Sequence, residues 1–564
     1  MPWTHHYAAV RDSLALTAVV VSIPIAFLFW ALTVKRMKGH VAGLSTLLVT
    51  LVVTTVAYGM PVSAALSAAA LGMATGLFPI GWIILTAVFF YNLTVKSGQF
   101  EIIKSSVSSL SSDRRIQALL IAFCFSAFME GVSGQGAPVA VAAAMLIGLG
   151  FSPIAAAVIC LVANTPPVPF GPVGVPTSMM ISVTGINAGV ITTAIGNDMA
   201  LMALIVPIFT LVVLAGWRNV RDVLPAALVV GVSYALSCLV VSRYLGQELP
   251  AIISSFVSMV ALVAFLKVWK PKTVWRFPED PEVGAGTGAK YTAGQIARAW
   301  SPFVIVMLVM GLWGIPAFKG WALNVKHWFL AVPAWPGLDG VVFRAAPIVP
   351  KAAKYAAAYR FEWFTAPGTA MLLSAILTMI VFRIGPATGA QVFGQTLKQL
   401  RFALVTLASV IGIGFLANYS GMSYTLGLAF ASYTGMLFPV FSPVIGWLGV
   451  FLTGSVTSSA ALFGKLQQVT ATHIGINPVL TTSANLFGGV MGKLISPQSI
   501  AVACAATGLV GRETDIFRKT IKYSLVLLAI TIGIVLLQAY VMPGVVPVEV
   551  APAVPGGVAA AAAR

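Results

Sequence analysis

The stretch MEGVSGQGAPVA, residues 129–140, decides how this chain folds. Apolar runs flank it, IQALLIAFCFSAF at 116–128 and AVAAAMLIGLG at 140–150. A carboxylate, three glycines and a proline interrupt what would otherwise be one greasy helix. In a soluble core that interruption would be a defect. In hydrocarbon it is costly, because unpaired backbone survives at membrane depth only where protein buries it or a wet cavity receives it.

The surroundings establish that hydrocarbon is the relevant solvent. The chain has 564 residues, 59% of them hydrophobic and 9% charged, against about 25% charged in soluble proteins. Apolar runs of about 20 residues recur, each long enough to cross a bilayer core. The fold class is therefore an all-α polytopic membrane protein, with about 12–14 transmembrane crossings expected. The net charge of +18 sits in short clusters between spans: 34–40, 113–115, 217–222, 267–276 and 511–519. That is the signature of cytoplasmic loops. It lacks the solvated basic patch that nucleic acid would require. The run at 14–33 is followed by Lys35, Arg36 and Lys38, so it reads as a retained span with its N-terminus outside rather than a cleaved leader. The four cysteines lie in apolar segments without metal-ligand spacing, and no metal or cofactor is expected.

The region 62–95 is long enough for two spans, but the charges after it favour one span plus a part-helix broken near Pro79. The spans 224–243 and 251–269 form a hairpin whose tip, GQELP, should face outside. Two polar pieces stand apart: 271–298, a Pro- and Gly-rich cytoplasmic linker, and 317–363, an extracytoplasmic loop.

An internal repeat organises the rest. GFSPIAAAVICLVANTPPVPFGPVGVP (150–176) parallels GINPVLTTSANLFGGVMGKLISP (475–497). Each opens on a Gly–apolar–polar–Pro unit and contains an Asn, followed seven residues later by Gly and twelve later by Pro: Asn164, Gly171, Pro176 and Asn485, Gly492, Pro497. A small-residue turn precedes each, at 130–138 and 453–460. The expected organisation is one transporter domain over 1–564, with a first half at 41–269 and a second at 300–541, built as inverted-topology repeats with re-entrant hairpins. Paired interrupted segments point to a transporter's binding site, and half-helix N-termini attract anions.

The candidate substrate-binding residues are Ser133, Gly134, Gln135, Gly136, Ala137 and Asn164 in the first half. In the second they are Thr453, Gly454, Ser455, Thr457, Ser458, Ser459, Asn485 and Lys493. Glu130 is the acidic residue set clearly inside an apolar region, with Asp198 at a span's start. Intramembrane ionisable groups are functional hypotheses by default, so Glu130 is assigned to proton coupling; a structural cap of the turn or a lysine partner is the bland alternative. Lys493 and Lys465 could attract a carboxylate, pair with Glu130 or snorkel to an interface. His473 reads as a loop residue, and Tyr419 as a cavity or interfacial-belt residue. FGGVMGK is not a phosphate loop, because Phe487 and Leu494 stand where Gly and Ser or Thr are needed. No catalytic cluster is visible, so an enzyme is not expected.

At EGVSGQGAPVAVAAAMLIGLGFSPIAAAVICLVANTPPVPFG, LTGSVTSSAALFGKLQQVTATHIG and GGVMGKLISPQSIAVACAATGLVGRE the chain resembles the L-lactate permease family. The resemblance runs from about 40 to 541. It implies proton-coupled uptake of L-lactate, D-lactate or glycolate across a bacterial inner membrane, and kinship with transporters that use inverted repeats and often an elevator-like motion. Partners are then the monocarboxylate, the proton and the lipid bilayer, with a homodimer left open. A sodium-coupled or uncoupled carboxylate carrier, or an anion channel, is the alternative. Three positions depart from the family's pattern: Gln135 where Phe is usual, Val456 where Asp is usual and Ala460 where Asn is usual.

Overall fold

The structure is a computed structural model that describes residues 2–35, 37–108, 110–134, 136–277, 291–324, 330–509 and 512–549. Helices dominate it. In chain order they are α1 (Leu14–Thr33), α2 (Gly39–Val56), α3 (Val62–Thr75), α4 (Trp82–Lys96), α5 (Gln99–Ser108), α6 (Arg114–Gln117), α7 (Ser126–Val132), α8 (Ala137–Gly148), α9 (Pro153–Ala163), α10 (Val175–Thr184), α11 (Ala188–Ala215) and α12 (Trp217–Val220). There follow α13 (Leu224–Tyr244), α14 (Pro250–Val268), α15 (Ala293–Gly314), α16 (Pro316–Asn324), α17 (Pro367–Val381), α18 (Pro386–Ser420), α19 (Met422–Thr434), α20 (Phe438–Thr453), α21 (Val456–His473), α22 (Pro478–Lys493), α23 (Pro497–Thr507) and α24 (Glu513–Leu536). Among the described residues eleven helical stretches are long and apolar enough to cross a membrane. Shorter apolar helices at 137–148, 153–163, 175–184 and 367–381 accompany them.

The order of elements recurs. A 35-residue helical stretch, Val62–Lys96, precedes α5, and another, Pro386–Ser420, precedes α19. Each is followed by a helical hairpin, an interrupted helix and a long span: α11 of 28 residues in one case and Glu513–Val541 of 29 in the other. The first long stretch kinks at Phe78, whose φ/ψ of −142°/128° lies outside the helical region, next to Pro79. The break expected near Pro79 is therefore present within one continuous stretch. On this element order α1 stands before the first series and α13–α14 between the two.

Local chemistry fixes both hairpins. In the first, Asp113 caps the arm by accepting from the Arg115 amide at 2.8 Å, and a π-helical segment, Ala118–Phe125, carries it on into α7. The chain turns at Gly134 (φ 53°) and Gly136 (φ 86°), left-handed positions that disfavour a side chain. Pro138 then restarts α8 with φ preset for a helix. In the second hairpin Gly454 (φ 71°) ends α20, and Ser455 caps α21 through the Ser458 amide at 3.2 Å.

Both interrupted helices break at polar or Pro/Gly positions. α9 ends on Asn164 and resumes at α10 after the left-handed Gly174. α22 ends on Lys493 and resumes at α23 after the Ser496 cap and Pro497. Close packing holds α22 on α20: a Cβ at Gly488 would meet the Pro443 carbonyl at 1.9 Å, and one at Gly446 the Asn485 carbonyl at 2.0 Å.

The basic cluster at 113–115 is more than a topology signal. Arg115 is 1% exposed and grips Asp113 through Nη2–Oδ2 at 2.7 Å and Nε–Oδ1 at 3.1 Å. It also donates to the carbonyls of Asn219 and Thr273 at 2.6 Å each. The foot of the first hairpin is thereby clamped to the start of the 271–298 linker, of which 278–290 lie outside the described residues. The 317–363 loop carries its own strands: β2 (Leu330–Val332), β3 (Val342–Arg344), β4 (Ala353–Lys354) and β5 (Tyr359–Phe361), with β2 paired to β5 and β3 to β4. An N-terminal strand, β1 (Trp3–Thr4), pairs in parallel with β3, so the N-terminus and this loop share one side of the molecule.

Candidate functional site

Glu130 lies on α7, one turn before the first hairpin's tip, and is 2% exposed. Its Oε1 accepts from Lys493 Nζ at 2.7 Å. Its Oε2 accepts from Asn164 Nδ2 at 2.8 Å, and Asn164 Oδ1 in turn accepts from Ser126 Oγ at 3.2 Å. Asn164 is the residue on which α9 ends, and Lys493 is the last residue of α22. The two interrupted helices thus deliver one donor each to a single buried carboxylate. Gly171 closes the site from the first break: a Cβ there would lie 2.6 Å from the Glu130 carbonyl and 2.8 Å from its Cγ.

Beside this pair is a cavity of about 90 Å³, whose wall includes Glu130, Lys493, Gly136, Pro176, Ser455 and Gln498. Four helices begin on that wall, namely α8, α10, α21 and α23, represented by Gly136, Pro176, Ser455 with Thr457, and Gln498 with Ser499. Helix starts present unsatisfied N–H groups and the positive end of the backbone dipole. Four of them around one cavity, with a lysine at its edge, supply donors and positive potential of the kind a small anion requires. Valines complete the wall: Val168, Val456 and Val502.

A larger hollow of about 440 Å³ adjoins the cavity and shares Pro172, Gly454, Ser455, Thr457 and Gln498 with it. It runs from the second hairpin's tip to Gly39 and His40 at the start of α2 and to Phe402 on α18. His40 stacks on Phe402 with centroids 4.4 Å apart. The hollow therefore opens toward the end of the molecule where Lys35 and Lys38 follow α1.

A family model described as L-lactate permease matches residues 17–542. The chain belongs to that family. It is 46% identical to the L-lactate permease of Bacillus subtilis, over 97% of this chain and all of the relative. It is 45% identical to the L-lactate permease of Escherichia coli K12, again over 97% and 100%, and 46% identical to a glycolate permease of the same organism, over 96% and 99%. Among solved structures, the YdaH transporter of Alcanivorax borkumensis aligns with a TM-score of 0.45 and 15% identity, over 83% of this chain and 86% of that one. These relatives are permeases, and the chain, like the family, is a multi-pass membrane protein.

The family's two signature regions supply the cavity, but not every residue the sequence singled out reaches it. Gly136, Gly454, Ser455, Thr457, Lys493 and Glu130 line it. Thr453 and Ser458 line the adjoining hollow. Ser133 is buried and turns its hydroxyl back on the Met129 carbonyl at 3.0 Å. Gly134 packs on Pro172, and Ala137 begins α8 without joining the wall. Ser459 lies against α20, donating to the Gly446 carbonyl at 3.4 Å. Gln135 is outside the described residues. Of the three departures from the family pattern, Val456 stands in the cavity wall, while Ala460 is fully buried one turn further along α21.

Asn485 lies apart from the cavity wall. It is fully buried inside α22, accepts from Gln467 Nε2 at 3.4 Å and lines no part of the cavity. α22 continues two turns past it before breaking, so the position matching Asn164 at a helix end belongs to Lys493. Lys465 is also remote from Glu130: it donates to Gln468 Oε1 at 2.8 Å and to the Thr184 carbonyl at 3.4 Å, at the end of α10. His473 is the last residue of α21. Tyr419 stacks on Tyr355 and donates to the Ala356 carbonyl, which ties α18 to the strand-bearing loop. Asp198 is not at a span's start. α11 begins ten residues earlier, leaving Asp198 2% exposed with Gln538 Nε2 donating to Oδ1 at 2.8 Å. Gln498, Ser499, Val502 and Pro172 escaped the sequence reading.

Proposed function

We propose that the protein is a secondary active transporter, a symporter that couples proton entry to uptake of L-lactate and related small monocarboxylates such as D-lactate and glycolate. The carrying observation is the 2.7 Å contact between Lys493 and Glu130 at the edge of a cavity ringed by helix N-termini. With the cavity empty, Lys493 is neutralised by the Glu130 carboxylate. An incoming carboxylate must compete with Glu130 for the same ammonium group. A proton on Glu130 removes the competitor, and Lys493 with the surrounding backbone N–H groups becomes free to hold the solute. Proton and solute therefore favour each other's binding, by the same factor in both directions. Asn164 suits both states, because its amide can donate to a carboxylate or accept from a carboxylic acid.

The basic clusters support a cytoplasmic assignment for the ends of α1 and α11 and the start of α24. The first hairpin, footed at Arg114 and Arg115, then enters from the cytoplasm and the second from outside, as inverted repeats require. The N-terminal strand and the 317–363 loop lie outside, and the 440 Å³ hollow faces the cytoplasm. The membrane is the bacterial inner membrane.

The test is uptake of labelled L-lactate into proteoliposomes under an imposed pH gradient and, separately, a sodium gradient. Uphill accumulation should follow the pH gradient alone and be lost in Glu130→Gln. Accumulation driven by sodium would replace the proton reading with a sodium-coupled one. Flux that never runs uphill would make the protein an uncoupled carrier or a channel.

A further inference from the structure

We infer that Gln498 reads the 2-hydroxyl of the transported acid, so that the site selects 2-hydroxymonocarboxylates over small carboxylates in general. This rests on the carboxylate-binding reading above and adds to it the source of discrimination. Gln498 is the second residue of α23 and is exposed into both the cavity and the adjoining hollow, whose walls it shares. Its side chain lies across the left-handed tip of the second hairpin: a Cβ at Gly454 would be 2.4 Å from Gln498 Oε1. A solute passing between the two spaces must pass this carboxamide.

Among the described residues two polar side chains on the cavity wall are uncommitted, Gln498 and Thr457, and only Gln498 pairs an amide donor with a separate carbonyl acceptor; the others are engaged. Ser455 Oγ accepts from the Ser458 amide, and Ser499 Oγ is bonded to Ser496 Oγ at 2.9 Å. Glu130 and Lys493 hold each other. Among the described residues Gln498 has no hydrogen-bond partner in the protein, and a carboxamide both donates and accepts, as a hydroxyl requires. The relatives' names carry the same chemistry. Lactate and glycolate share a carboxylate and a 2-hydroxyl and differ by one methyl, which Val168, Val456 and Val502 can cover.

The experiment is competition against labelled L-lactate uptake in proteoliposomes by unlabelled lactate, glycolate, acetate and propionate, the last being lactate without its hydroxyl. In the wild type lactate should inhibit at concentrations about tenfold or more below propionate, the value of one good neutral hydrogen bond. In Gln498→Met, of similar length, and in Gln498→Ala, that ratio should fall toward one through weaker lactate inhibition, with propionate unchanged. A ratio retained in either variant that reaches normal levels in the membrane overturns the inference, as does equal inhibition by lactate and propionate in the wild type. A wild-type protein that takes up no lactate would instead sink the functional reading beneath it.

Discussion

Lys493→Met should destabilise the protein far more than Glu130→Gln, and the double variant should be the mildest of the three. The reasoning starts from exposure: the Glu130 side chain is 3% exposed and that of Lys493 is 18% exposed at the cavity edge. Removing the lysine leaves a buried carboxylate with Asn164 as its remaining donor among the described residues, and breaking a buried pair from that side costs about 3–5 kcal/mol. Removing the carboxylate leaves an ammonium that cavity water can reach, and Gln keeps an acceptor for Asn164, so the loss is about 1–2 kcal/mol. Replacing both removes the charge problem and leaves a loss of about 1 kcal/mol or less. The coupling energy from the cycle is therefore about 3–6 kcal/mol, well above the scatter of additive pairs. Thermal unfolding of purified protein in one detergent would read it. Additive losses would refute the idea that this pair stores the charge balance of the site.

Three further outcomes follow from other parts of the structure. Arg115→Met strands Asp113 at the foot of the first hairpin and should lower stability by about 3–5 kcal/mol, seen as loss of folded protein in fluorescence-detected size exclusion, whereas the Asp113→Asn, Arg115→Met pair should recover part of it. Gly488→Ala drives a Cβ to 1.9 Å from the Pro443 carbonyl and should cost about 1–3 kcal/mol or more by overpacking, while Gly311→Ala, which meets nothing within 4 Å, should leave thermal stability unchanged. His5, outside the spans, is pushed by burial from 6.5 down to about 4. Its neutral form is the one that fits, so the stability it contributes is complete above about pH 6.5 and is lost as pH falls toward 4, by up to about 3 kcal/mol. A fluorophore at Thr4→Cys should accordingly gain mobility between pH 7 and pH 4, and unchanged anisotropy would count against it.

How much of this was legible beforehand depended on whether a residue's meaning was local. The turn at 133–136 could be read because glycine and proline act on their own backbone, and the helix restarts at Pro138 and Pro497 follow from the same local rule. Glu130 and Lys493 stood out because a charge inside an apolar run needs a partner. Asn485 does not sit at a helix end as Asn164 does, for a physical reason: the repeat was matched by counting between asparagine and proline, whereas the first break spans eleven residues (164–174) and the second only three (494–496). Asp198 was displaced because α11 begins at Ala188, well before its most apolar run. Arg115 looked like one more loop cation, and nothing local announces that carbonyls more than 100 residues away will close around it. Gln498 and Val502 acquire meaning only when α23 is set against the second hairpin's tip. The pairing of the N-terminal strand with the 342–344 strand likewise rests on two residues, too few to carry a pattern.

On the proton-coupled reading proposed above, the charge arithmetic that holds Lys493 to Glu130 would also keep such a site from leaking, and it gives the most discriminating prediction. Empty and deprotonated, the site carries one negative and one positive charge and is neutral. With both proton and monocarboxylate bound it is again neutral, the solute's charge having replaced that of Glu130 opposite Lys493. With the proton alone it carries a net positive charge, and with the solute alone a net negative one. A net charge is expensive to carry through hydrocarbon, by several kcal/mol even by the smaller scales, so only the empty and the doubly loaded forms should reorient readily. Glu130→Gln alters this in one direction only. Its empty site keeps the unpaired Lys493 charge and is held back, while its loaded site is neutral and moves. That variant should exchange labelled for unlabelled lactate across the vesicle membrane at close to the wild-type rate, with an affinity that no longer varies with pH, yet show at least tenfold less net efflux into lactate-free buffer. Net efflux equal to exchange in Glu130→Gln would mean that the empty carrier returns without regard to its charge, and the coupling would have to reside somewhere other than this ion pair.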